Sequence, residues 1–66
     1  MILRVNGEET ECPPNITLAA FLAGRRLDAR SVVVEHNRSI VSAEDWETIR
    51  LSQGDELEIL HFVGGG

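Results

Sequence analysis

Lysine and tyrosine are absent from this 66-residue chain, cysteine occurs once, and aromatic residues amount to one Trp and two Phe. The lone Cys12 cannot form an internal disulfide, and with no second Cys and no His beside it, it reads as a strand residue rather than a metal ligand or nucleophile. No apolar run reaches signal-peptide or membrane length, because Arg4 and the polar segment Asn6 to Glu9 interrupt the beginning. The expected location is therefore the cytoplasm. Eleven acidic residues face six basic ones, all Arg, for a net charge of −5. Without a basic stripe, nucleic acid is excluded as a partner. A chain this short buries only about 60 % of its unfolded surface, so a deep catalytic cleft is hard to build. Aliphatic residues must supply most of the core.

What is present is strong local patterning. "MILRV" alternates, with Leu3 and Val5 on one face, and the "NG" that follows favours a two-residue turn with positive φ at both positions. "EETEC" returns as a second strand, so residues 1–12 are expected to form a β-hairpin, closed by "PPN". "ITLAAFLAG" predicts a short helix with Thr17 as N-cap and an Ile16–Phe21 staple. Leu18, Phe21 and Leu22 share its buried face, and Gly24 is expected at C′. "SVVVEHN" and "SIV" read as strands about a turn at Asn37–Arg38. Ser42 and Asp45 suggest an imperfect capping box before a helical turn that buries Trp46 and Ile49. After the "SQGD" turn, "ELEILHFV" is the last strand.

The order β-β-α-β-β-(short helix)-β predicts an α+β fold. Its mixed sheet of about five strands carries one main helix on one face, with the last strand central and parallel to the first. This is the ubiquitin-like β-grasp layout. In the last strand Leu57 and Ile59 are expected to face the core. Glu56, Glu58, Leu60 and Phe62 then share the outer face, where exposed Leu60 and Phe62 suggest docking. His61 reads as a strand-end residue, and Glu8, Glu9, Glu11, Glu56 and Glu58 as a solvated sheet edge with no nucleophile–base pair. The expected organisation is a domain over 1–63 and a glycine tail over 64–66. Such a tail is thin, and three extended glycines span about 10 Å. Its carboxylate, with a pKa of about 3.5, must be activated before a nucleophile can attack it.

The hairpin with "VNG", the "TLAAFL" helix, "VVVEHN", "SAEDWETIRLSQGDELEIL" and above all "HFVGGG" resemble the sulfur carrier proteins of thiamine biosynthesis, the ThiS family, across the whole chain. That resemblance implies that an adenylating activating enzyme of the ThiF type uses ATP and Mg²⁺ to adenylate Gly66. A persulfide donor fed by a cysteine desulfurase then replaces AMP with sulfur, and the Gly66 thiocarboxylate supplies thiazole synthase of the ThiG type. By position, Gly65 and Gly64 would thread into the partner, while Leu60, Phe62 and Val63 would line the approach. The carrier itself would bind no metal or cofactor, and its freedom from lysine would leave an acyl adenylate no side-chain amine to meet. Two alternatives stay open: a carrier for another pathway, such as the small subunit of molybdopterin synthase, and a ubiquitin-like interaction module with no covalent chemistry.

Overall fold

A computed structural model describes residues 1–62. Strand β1 (Ile2–Val5) pairs antiparallel with β2 (Glu8–Glu11) through the Asn6–Gly7 turn, whose φ angles of 49° and 83° are those that Asn and Gly tolerate best. Helix α1 (Leu18–Gly24) follows, then the hairpin β3 (Val32–His36) and β4 (Ser39–Val41), a 3₁₀ turn at Ala43–Asp45, and β5 (Glu56–His61). The sheet order is β2-β1-β5-β3-β4. β5 lies in the middle, parallel to β1 and antiparallel to β3, as expected from the order of the elements. This is the mixed five-stranded β-grasp sheet.

One face of that sheet is the core. Leu3, Val5, Val32, Val34, Leu57 and Ile59 project from it onto Leu18, Phe21 and Leu22 of α1, with Trp46 and Leu51 closing the side. The helix is only seven residues long, too short to persist alone. Its start is held by three acceptors. Thr17 Oγ1 takes the Ala20 N–H at 3.1 Å, while the Ile49 and Trp46 carbonyls take those of Leu18 and Ala19 at 2.8 and 3.0 Å. The segment carrying Trp46 and Ile49 therefore caps the helix as well as burying apolar surface.

Two expectations need correction. Ser42 makes no side-chain cap bond, so there is no capping box; the turn is 3₁₀, and Asp45 N–H bonds the Ser42 carbonyl instead. Gly24 is not at C′ but within the helix. The left-handed residue is Arg26 (φ 60°), whose N–H bonds the Ala23 carbonyl while the Leu27 N–H bonds that of Leu22. That pair of bonds is a Schellman motif, completed because Leu27 packs against the core and pulls the chain round. Arginine has a Cβ that disfavours this conformation. Arg26→Gly is therefore expected to raise stability by about 0.5–1 kcal/mol in urea unfolding, and an equal loss would show that the side chain itself holds the motif.

At the end of the sheet where β5 begins, polar groups join the β3–β4 turn to β5. His36 Nε2 lies 2.8 Å from Asp55 Oδ2, which also accepts the Ser52 N–H at 2.9 Å, and Asn37 Nδ2 donates to Asp55 Oδ1 at 3.2 Å. Burial alone would raise the Asp55 carboxyl, but the bonds from His36, Ser52 and Asn37 outweigh it, so its pKa lies below the ordinary value. A depressed folded pKa contributes stability that is complete above the unfolded value of about 3.9 and disappears as pH falls through the folded value. Asp55→Asn is accordingly expected to lower stability at pH 6, with the gap from the parent narrowing below about pH 4. Urea melts followed by the fluorescence of buried Trp46 would measure it. A gap independent of pH would assign the cost to geometry rather than to the carboxylate.

Candidate functional site

The opposite end of β5 is where the chain leaves the sheet. On the β3 side it stays paired to the end, with Val33 opposite Leu60 and Val32 opposite His61, and the Phe62 N–H bonding the Ser31 carbonyl at 2.9 Å. Ser31 is fixed in turn by Asp28, whose Oδ1 accepts the Arg30 N–H at 2.9 Å and whose carbonyl accepts both the N–H and the hydroxyl of Ser31. The backbone N–H of Arg30, more than its guanidinium, holds the Asp28 carboxyl below the usual carboxylate range. A loop without regular structure thus anchors the last described residue of the exit.

The outer face of the sheet changes character along β5. Strand alternation puts Leu60 and Phe62 on that face two residues apart, and each is 54 % exposed. Val33, opposite Leu60, is half-buried beside it, and Ile40 of β4 stands on the same face at 72 % exposure. Toward the beginning of the strand the face turns acidic. Glu58 lies opposite Glu35, and Glu56 is weakly paired with Arg38 at 3.8 Å, both ends of that pair being exposed. Exposed pairs of this kind contribute little to stability, and with Arg4 and Arg38 set against Glu35, Glu56 and Glu58 the face beneath the apolar rim is mixed in charge with a small acidic excess. Arg4, Arg38, Glu35, Glu56 and Glu58 share a shallow depression there.

Of the residues singled out from sequence, the fold therefore brings Leu60 and Phe62 together on an open surface, and leaves His61 exposed at the strand end. Val63, Gly64, Gly65 and Gly66, with the boundary between domain and tail, lie outside the described residues. Val33, Ile40 and the Asp28–Ser31 loop were not picked out. The run "VVV" carries no alternation that would say which valine faces outward, and Ile40 looked like any short-strand residue. Asn6 was read only as a turn residue, yet its carboxamide reaches β5: Oδ1 accepts the Ile59 N–H at 2.7 Å and Nδ2 donates to the Ile59 carbonyl at 3.3 Å. Among the described residues no group of three or more His, Cys, Asp or Glu is placed to hold a metal, and no helix is long and apolar enough to cross a membrane.

Comparison with known proteins bears on the whole of this architecture. The crystal structure of the thiamine biosynthesis protein ThiS from Geobacter metallireducens superposes with a TM-score of 0.86 at 29 % identity, covering all of both chains. The sulfur carrier protein ThiS of Bacillus subtilis is 35 % identical over 66 residues, taking in 98 % of this chain and all of that one. A thiazole synthase of Paramagnetospirillum magneticum is 39 % identical over all of this chain, which spans only 20 % of that protein's length. The sequence model of the ThiS family matches residues 3–66, from the first strand through the glycines, and by that match and these relatives the chain belongs to the ThiS family of sulfur carrier proteins.

Proposed function

We propose that this chain carries sulfur for thiazole formation in thiamine biosynthesis as a thiocarboxylate on Gly66. The observation that carries the reading is the family match running through "HFVGGG" to Gly66, joined to a central strand, β5, that ends at His61, the first residue of that segment. The chain acts as a carrier and co-substrate, not as an enzyme. Its ionised carboxylate attacks the α-phosphate of ATP on an activating enzyme, releasing pyrophosphate and forming an acyl adenylate. A persulfide sulfur then adds to the acyl carbon and AMP leaves. Cleavage of the resulting acyl disulfide by a thiol gives the thiocarboxylate and a disulfide on the donor. ATP and Mg²⁺ belong to the activating enzyme, and the persulfide comes from a cysteine desulfurase. A cytoplasmic setting supplies both the nucleotide and reduced thiols.

Glycine suits this chemistry because no Cβ shields the carbonyl or widens the thread that must enter the partner. Leu60, Phe62 and Val63 form the approach surface. The glutamates beneath Leu60 favour a partner that sets an apolar spot beside Arg or Lys. The relative named thiazole synthase, of which this chain matches a fifth, supports thiazole synthase as the acceptor. The test is the mass of the fragment carrying Gly66 after incubation with ATP, an activating enzyme and a persulfide donor. Intact mass alone is insufficient, since oxidation of Met1, Cys12 or Trp46 adds almost the same increment as replacing oxygen with sulfur. Sulfur on Gly66 is the expected result. An unmodified tail, with the same enzyme loading the Bacillus subtilis carrier, would overturn the reading in favour of a non-covalent module.

A further inference from the structure

We infer that Asn6 is a positioning residue for the carrier tail: its side-chain amide stands in for the strand that β5 lacks on its β1 side and so aims the segment leaving the sheet. The inference rests on the carrier reading above. β1 stops at Val5, opposite Leu57, while β5 continues to His61. The parallel ladder includes bonds from Arg4 N–H to the Asp55 carbonyl at 2.9 Å and from Asn6 N–H to the Leu57 carbonyl at 2.8 Å. Its next two bonds would join Ile59 to backbone groups further along β1, but the chain has already turned away at Asn6. The carboxamide supplies both replacements, accepting from the Ile59 N–H at 2.7 Å and donating to the Ile59 carbonyl at 3.3 Å. The need of Ile59 N–H for an acceptor fixes which end of the amide is oxygen.

The result is that β5 is held on both sides as far as Ile59, three residues before Phe62, with the β3 side alone beyond it. Rotation of β5 about its β3 bonds would swing the Leu60–Phe62 face, from which the tail sets out, and Asn6 opposes that rotation. Turn chemistry alone does not require this side chain, because Gly satisfies the positive φ at least as well. Aspartate keeps the turn and the acceptor, but it cannot donate and sets a carboxylate against the Ile59 carbonyl.

Asn6→Gly and Asn6→Asp therefore separate the clamp from the turn. Thr17→Ala serves as a control that loses a helix cap far from the exit. Under conditions where each variant is fully folded, pyrophosphate release by the activating enzyme is expected to fall roughly tenfold for Asn6→Gly. The fall should come mainly in kcat, with a smaller loss for Asn6→Asp and none for Thr17→Ala. Hydrogen exchange supplies a reading independent of the enzyme: the Ile59 N–H should exchange at least about tenfold faster in Asn6→Gly, while core amides of β3 change less. Unchanged Ile59 exchange overturns the clamp. A normal rate for Asn6→Gly with an active parent overturns the positioning role alone. A parent that the competent enzyme cannot activate overturns the carrier reading and this inference with it.

Discussion

Removal of Gly65 and Gly66 is expected to abolish sulfur loading and to leave the fold unchanged, the largest functional effect expected of any small change to this chain. Every buried hydrophobic residue among those described lies between Leu3 and Ile59, and the last described backbone bond is made by Phe62, just beyond β5. Truncation after Gly64 removes none of these contacts. The urea midpoint should therefore move by no more than a surface change would, about 0.5 kcal/mol. The chemistry responds differently. The shortened chain still ends in a glycine carboxylate, so a reduced yield cannot come from a change in the reacting group. Its end falls about 7 Å short of the original, more than the roughly 1 Å misplacement that already costs a hundredfold when reacting groups must be aligned. Fragment mass after incubation with ATP, activating enzyme and persulfide donor should show no sulfur, and the circular dichroism spectrum should match the parent. Sulfur still gained, for example on Cys12, would place the modification elsewhere.

The fold was legible from sequence to an unusual depth because its signals are local and independent. Asn6–Gly7 could hardly be anything but a tight turn, the Leu18, Phe21 and Leu22 spacing selects one helix face, and Leu57 and Ile59 alternate cleanly with Glu56 and Glu58. Exposure of Leu60 and Phe62 followed from the same alternation, since the helix covers only one side of the sheet. The readings that failed were those where tertiary contacts override a local motif. Gly24 looked like a helix stop, but packing of Leu27 carries the helix on and sets Arg26 in the left-handed conformation. Ser42 and Asp45 had cap-like spacing, but the tight turn that buries Trp46 leaves the Ser42 hydroxyl without a cap bond. The bonds from Asn6 to Ile59 and from His36 to Asp55 join positions 53 and 19 residues apart, and no periodicity encodes such pairs. For the same reason the site was half visible: its strand was readable, and the groups that hold the strand in place were not.

Leu57→Ala is expected to cost about 3–4 kcal/mol, a large share of the roughly 3–10 kcal/mol available to a domain of this size. Leu57 is fully buried in the central strand, between Val5 of β1 and His36 of β3 in register. It faces the same core as Leu18, Phe21 and Leu22. Truncating it loses the transfer energy of the buried carbons and leaves a cavity that a sheet tied on both sides cannot close. Leu60→Ala, three residues along the same strand but facing outward, should cost less than about 1 kcal/mol, because its 54 % exposed side chain leaves no enclosed cavity. Urea melts followed at Trp46 would give both values. Equal losses would mean that the two faces of β5 had been assigned wrongly. The functional consequences should run in the opposite order. Leu60→Ala should leave a stable carrier with a raised KM for the activating enzyme, since the missing side chain belongs to the proposed approach surface. Leu57→Ala, assayed at a temperature where it remains folded, should keep the parent's KM, because that side chain never meets a partner.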